Sequence, residues 1–138
     1  DIMIPNVTEA AMMAGLPFRA ELDEAYARDL LNCLGGENVV LTGVGFHPEQ
    51  TGAAIRQNRE VSFIHHKRLE RNFHGTGDMF AACFTGCLMQ GKSLEEAVRL
   101  ASEFTRRSIE STIENPAHWY GVKFETVLPW LIRELFDT

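Results

Sequence analysis

The chain has 138 residues, of which 45% are apolar and 23% charged, the make-up of one soluble globular domain able to bury a sizeable core. A net charge of −6 excludes a general nucleic-acid binder, which needs excess Lys and Arg to track phosphates. The longest mostly apolar stretch, residues 79–89, is far short of a membrane span, and no signal peptide stands out.

Ile2-Met3-Ile4 reads as a short buried strand ended by Pro5. A helix over 7–13 stops near Gly15 and Pro17. Residues 22–34 form a second helix, with Leu22, Ala25, Tyr26, Leu30 and Leu34 near helical spacing and Gly35-Gly36 as its stop. Val39-Val40-Leu41 is a second buried strand, followed by the glycine-containing loop Thr42-Gly43-Val44-Gly45. Strand, helix and strand in this order, with continuously apolar strands, signal a parallel sheet covered by helices.

The middle changes character. Residues 53–57 and 61–67 have mixed polarity and are read as an antiparallel hairpin at a sheet edge. Then comes His74-Gly75-Thr76-Gly77-Asp78-Met79-Phe80, opening a helix that is apolar or small on all sides to about Gln90 and is therefore expected to be central and buried. Ser93-Leu94-Glu95-Glu96 is a capping box that starts a long helix to about Glu114, where Asn115-Pro116 stops it. A last amphipathic helix lies within 124–136, its start obscured by Pro129. The three cysteines, Cys33, Cys83 and Cys87, sit in apolar helical patterns and read as reduced, buried thiols of a cytosolic protein. Cys83 and Cys87 lie four apart on one helix face, but no histidine is in register to complete a metal site.

Three places carry oxygen-rich or glycine-rich chemistry. The Gly75-Thr76-Gly77 turn feeds a helix, so backbone N–H groups point outward and can hold an anion. Asp78 beside them is either a general base, taking a proton from an acceptor hydroxyl as phosphate arrives, or an ordinary first-turn acid facing the helix dipole. Asn6 and Glu9 follow the first strand. They suit a hydrated Mg²⁺ that accompanies a nucleotide, and equally the reciprocal bonds of a capping box. Thr42 ends the second strand, where its hydroxyl and the following amides can face a phosphate or simply begin a turn. The five histidines show no metal-ligand spacing, and His65 and His66 point to opposite strand faces. The basic run His65-His66-Lys67-Arg68 with Arg71 is either a solvated strand end or a local attractor for a polyanion.

The order of these motifs is specific. Pro5-Asn6-Val7-Thr8-Glu9-Ala10 after a strand, Val39-Val40-Leu41-Thr42-Gly43 after a helix, and Gly75-Thr76-Gly77-Asp78-Met79-Phe80 opening a helix resemble the C-terminal half of the ribokinase-like superfamily. The resemblance covers essentially the whole chain. The Gly-Thr-Gly-Asp form looks most like pyridoxal, pyridoxine and pyridoxamine kinases; sugar kinases more often carry Ala at the place of Thr76, and hydroxymethylpyrimidine kinases usually carry Cys at that of Asp78.

The resemblance implies the C-terminal part of a three-layer α/β/α fold, with a mostly parallel sheet and an edge hairpin. It implies a cytoplasmic, ATP- and Mg²⁺-dependent kinase that phosphorylates the hydroxymethyl group of a B6 vitamer, with no nucleic-acid or membrane partner; homodimers are common among such kinases. Asp78 would be the catalytic base and Gly75, Thr76 and Gly77 the anion hole. Thr42 and Asn6 would contact the ATP phosphates, and Glu9 with Asn6 would hold Mg²⁺ through water. Two positions depart from the pattern: Ile4, where pyridoxal kinases often have Thr, and Gly43, where many have Ser. The N-terminal half of the fold, which supplies most of the substrate pocket, is not in these residues, so this chain alone is expected to be inactive. The competing readings are a kinase of the same fold for another hydroxymethyl compound or a sugar, and a non-catalytic nucleotide-binding or structural fragment.

Overall fold

Ile2–Met3 (β1) and Asn38–Thr42 (β2) pair in parallel, Met3 opposite Val39, in the computed structural model of this chain. The structure describes residues 2–19, 21–67, 76–114 and 124–136. They fall into two compact units, Asp1–Arg68 and Leu69–Thr138, each described by itself.

In the first unit the connection between the parallel strands carries two helices, Val7–Ala14 (α1) and Glu24–Cys33 (α2). A parallel pair requires such a crossover. The start of α2 is set by Asp23, whose carboxylate accepts the Tyr26 N–H at 2.7 Å, so Leu22 stays outside the helix. Val39, Leu41 and Ala54 on one face of the sheet pack with Val7, Ala10 and Ala11 of α1 and with Tyr26, Ala27, Leu30, Leu31 and Leu34 of the α2 region. Val40, Ala53 and Ile55 on the opposite face are also buried. Burial on both faces is why these strands read as continuous apolar runs.

Gln50–Gln57 (β3) and Glu60–Lys67 (β4) form the expected hairpin, longer at its open end than the expected 53–57 and 61–67. Its two-residue turn has φ of 53° at Asn58 and 71° at Arg59, the double left-handed geometry that matches the twist of paired strands. The sheet order is β1-β2-β3-β4, with β2–β3 and β3–β4 antiparallel. The sheet is therefore mixed, and the parallel majority expected for the fold is not found among these four strands. The reason is local: a two-residue turn can join only antiparallel neighbours, and the hairpin supplies half the strands.

The second unit is helical. Thr76–Met89 (α3) and Leu94–Ile113 (α4) are joined by a short turn and pack on each other. Ser93 caps α4, its hydroxyl accepting the Glu96 N–H at 3.2 Å as its position in the capping box requires. A 3₁₀ turn, Glu125–Val127, leads into Leu128–Phe136 (α5), where Pro129 occupies the first turn and sacrifices no helical hydrogen bond. The Arg107 guanidinium lies 4.6 Å from the centre of the Trp130 ring, tying α5 to α4.

Two expectations are corrected. Helix α3 is not buried all round: Cys83, Phe84 and Cys87 are buried, whereas Ala82, Thr85 and Gly86 are exposed and Met89 is 81% exposed. Small residues lose little by facing water, so their presence on every side does not report burial. Cys33, at the end of α2, is exposed rather than buried, and only Cys83 and Cys87 are interior thiols. No group of three or more His, Cys, Asp or Glu forms a metal cluster among the described residues. No described helix is long and apolar enough to cross a membrane.

Candidate functional site

The carboxyl ends of β1 and β2 lie side by side, and the chain runs from them into α1 and into the loop before β3. Beyond β1, Asn6 pairs with Thr42 in an isolated parallel bridge. The Thr42 N–H donates to the Pro5 carbonyl at 2.9 Å, and its hydroxyl donates to the same oxygen at 3.4 Å. The second bond is long and therefore weak, so the hydroxyl is free to turn to a better acceptor.

Asn6 caps α1 and shares a reciprocal pair of bonds with Glu9. The Glu9 N–H donates to Asn6 Oδ1 at 2.8 Å, and the Asn6 N–H donates to Glu9 Oε1 at 3.3 Å. The capping box is thus formed, and it orients both exposed side chains. Asn6 has its oxygen committed and its Nδ2 hydrogens outward; Glu9 retains its second carboxylate oxygen. Both stand at the N-terminus of a helix, where outward amides favour anions. Gly43 follows with φ of 74°, a left-handed conformation that glycine adopts without strain.

In the second unit, Thr76, Gly77 and Asp78 form the first turn of α3, with Gly77 and Asp78 exposed. The N–H groups of Gly77 and Asp78 have no intrahelical acceptor at this position. A Cβ at Gly77 would meet nothing within 4 Å, and its φ is not left-handed. Neither packing nor backbone conformation requires glycine there, and its bare backbone leaves room for a group to approach the helix end. Gly75 and His74 lie outside the described residues, as do Arg68 and Arg71 of the basic run.

The structure thus brings Asn6, Glu9 and Thr42 together at one edge of the first unit, and Thr76, Gly77 and Asp78 on one turn of the second. His65 is packed with Phe46 and Phe63, and His66 lies with Nδ1 3.2 Å from the Lys67 carbonyl. The packing of Phe46 on Phe63 and His65 was not legible from the sequence, because it depends on which strand its loop folds back upon.

A parallel strand pair with a capped helix and a glycine loop at its carboxyl edge is an α/β arrangement, the class whose ligands lie at such edges. Residues 1–122 match the family described as phosphomethylpyrimidine kinase, and the chain belongs to that family. Among curated relatives it is 30% identical over 112 residues to a hydroxymethylpyrimidine/phosphomethylpyrimidine kinase of Bacillus subtilis (strain 168), covering 79% of this chain and 41% of the relative. It is 31% identical over 118 residues to a pyridoxine/pyridoxal/pyridoxamine kinase of Bordetella bronchiseptica, covering 81% of this chain and 41% of that protein. The crystal structure of pyridoxal kinase from Lactobacillus plantarum superposes with a TM-score of 0.82 at 28% identity, over 97% of this chain and 50% of that one. The chain therefore spans about half the length or less of the relatives it matches.

Proposed function

We propose that this chain carries the nucleotide side and the catalytic base of an ATP-dependent kinase that phosphorylates the hydroxymethyl group of a B6 vitamer. The observation that carries the reading is the placement of an exposed Asp78 on the open, glycine-fronted first turn of α3. In this reading the acceptor hydroxyl oxygen attacks the terminal phosphorus of ATP. Asp78 takes the hydroxyl proton, the bond from that phosphorus to the bridging oxygen breaks, and ADP leaves. The amides of Gly75, Thr76 and Gly77 stabilise charge on the transferring group.

The capping box divides the work at the other edge. With Oδ1 held by the Glu9 N–H, Asn6 offers donors, which suit a phosphate oxygen rather than a metal. Glu9 keeps a free carboxylate oxygen, which fits a hydrated Mg²⁺ held through water. The ion, when bound, neutralises phosphate charge. Thr42 and the Gly43 amide complete the phosphate contacts.

A second reading shares the same machinery. The family match and the Bacillus subtilis relative favour a hydroxymethylpyrimidine-type acceptor; Gly75-Thr76-Gly77-Asp78 favours the vitamer. Because the relatives are longer, we place turnover in a protein of their length, with these residues as the C-terminal half of its kinase domain. Two assays test this. A protein of that length should phosphorylate pyridoxal, pyridoxine or pyridoxamine in preference to hydroxymethylpyrimidine, and Asp78→Ala should lower kcat by about 10²–10⁴-fold with ATP affinity kept. The isolated 138-residue chain should not turn over; activity near that of the longer protein would refute that part. An Asp78→Ala variant that retains kcat would refute the assignment of the base.

A further inference from the structure

We propose that Phe46 is a positioning residue: by packing on His65 and Phe63 it clamps the loop after β2 and so holds Thr42 and Gly43 in their phosphate-facing form. The inference rests on the reading of Thr42 and Gly43 given above and deepens it.

The loop over 43–49 is tied down along its length. Thr42 N–H donates to Pro5, Val44 N–H to Gly52 at 3.0 Å, and Gln50 N–H to His47 at 3.0 Å. Between the first two ties, the Gly43 N–H has no acceptor among the described residues, and Gly43 is exposed. Its direction is therefore set by the residues that follow it. Val44 is fully buried in the core.

Beyond Val44 the anchor is Phe46. Its N–H donates to Gln50 Oε1 at 3.2 Å. Its ring stands edge-on to Phe63 at 5.5 Å and to His65 at 5.1 Å, and those two rings stack on each other at 5.9 Å. The Arg28 guanidinium, 5.4 Å from the centre of Phe63, closes the cluster from α2. Close approach of backbone completes the clamp: a Cβ at Gly45 would run into the Gln50 carbonyl, and one at Gly52 into the Ile64 carbonyl. Phe46 is only half-buried, so shortening it frees the loop without hollowing the core.

His65 contributes a flat ring to this cluster. Its Nδ1 is buried with no hydrogen-bond partner among the described residues, a cost that ring packing alone would not require. A phenylalanine at this position keeps both ring contacts and removes the orphaned atom.

The test uses the 138-residue chain and four variants, Phe46→Ala, Phe46→Leu, His65→Phe and Thr42→Val. Amide hydrogen exchange at Val44 and Gln50 reads the loop, the β3–β4 amides report that the fold is kept, and equilibrium binding of Mg-ATP reads the site. Phe46→Ala should speed exchange at Val44 at least about tenfold while β3–β4 protection holds, and weaken Mg-ATP binding by about tenfold. Phe46→Leu should fall between, and His65→Phe should match the parent chain in both readouts. Unchanged exchange at Val44 in Phe46→Ala would overturn the clamp, as would loss in His65→Phe equal to that in Phe46→Ala. Faster exchange with unchanged ATP affinity, where Thr42→Val does weaken binding, would overturn the link from clamp to phosphate. A Thr42→Val chain with unaltered affinity would instead refute the phosphate role of Thr42, and the exchange data would still decide the clamp.

Discussion

The guanidinium of Arg56 donates to the Leu34 carbonyl at 2.9 Å, joining the hairpin to the end of α2. The same group also donates to the carbonyls of Leu31, of Gly36 at 2.6 Å and of Gly35 at 3.4 Å. Helix C-termini leave carbonyls without intrahelical donors, and a cation there also suits the helix dipole. Arg56 is half-buried, so Arg56→Met would strand the partly buried oxygens of Leu31 and Leu34. We expect it to lower unfolding stability by about 2–3 kcal/mol in urea denaturation. Arg56→Lys should restore less than half of that, because an ammonium cannot fork to several carbonyls. A loss under about 0.5 kcal/mol in Arg56→Met would show that water replaces these bonds.

Arg59 sits at φ 71° in the turn between β3 and β4, a conformation that costs a side-chain-bearing residue roughly 1–2 kcal/mol. Asn58 precedes it, so Arg59→Gly creates the Asn-Gly pair that this turn geometry favours. Even after the greater unfolded-state freedom of glycine is deducted, the variant should gain about 0.5–1 kcal/mol. A rise in the denaturation midpoint at unchanged m-value is the expected readout; a fall would mean that the Arg59 side chain contributes more than its backbone costs.

The three thiols should separate by reactivity. Cys33 is exposed, whereas Cys83 and Cys87 are buried. Burial, reinforced by Cys87, pushes the Cys83 thiol from its ordinary 9.0 up to about 12; burial also raises Cys87. Under native conditions near pH 8, iodoacetamide should modify Cys33 alone, and peptide mapping should find the other two only after denaturation. The same shift has a stability consequence. The neutral Cys83 thiol is favoured in the folded chain, so its contribution is fully present below about pH 9 and is lost as pH rises toward 12. A Cys83→Ala chain should show a shallower decline over that window.

The sequence resolved what depends on local pattern. Ser93 and Asn6 each fall at a helix start, and their side chains make the caps that spacing implies. The strand around Val39-Val40-Leu41 was legible because burial on both faces leaves no polar alternation. What was not legible depends on distant neighbours. Nothing near Arg56 in sequence marks it as a cap for a helix some twenty residues earlier. Cys33 and Cys87 have similar settings in sequence, yet one ends α2 at the surface and the other is buried. The reach of β3 back to Gln50 likewise needed Gln50 and Thr51 to find Lys67 and His66 across the hairpin. Of the site, the residue types and their strand-end positions were legible; the orientation of Asn6 was not, because both roles begin from the same spacing.

That double role of Asn6 can be separated by substitution. Asp caps helices about as well as Asn, so Asn6→Asp should keep the bond from the Glu9 N–H and leave stability within about 0.5 kcal/mol. It replaces the outward NH₂ donors with a carboxylate oxygen, which repels a phosphate. If Asn6 serves the nucleotide, Mg-ATP affinity should drop at least about tenfold in a chain that unfolds normally, as a lost charge-assisted contact of about 1.4 kcal/mol or more requires. Asn6→Ala should instead lose both, with about 1 kcal/mol of stability gone through the cap. Glu9→Gln keeps a side-chain oxygen for the Asn6 N–H while removing the charge. It should therefore raise the Mg²⁺ concentration needed for ATP binding and spare stability. If all three variants bind Mg-ATP as the parent does, Asn6 and Glu9 are helix caps and nothing more.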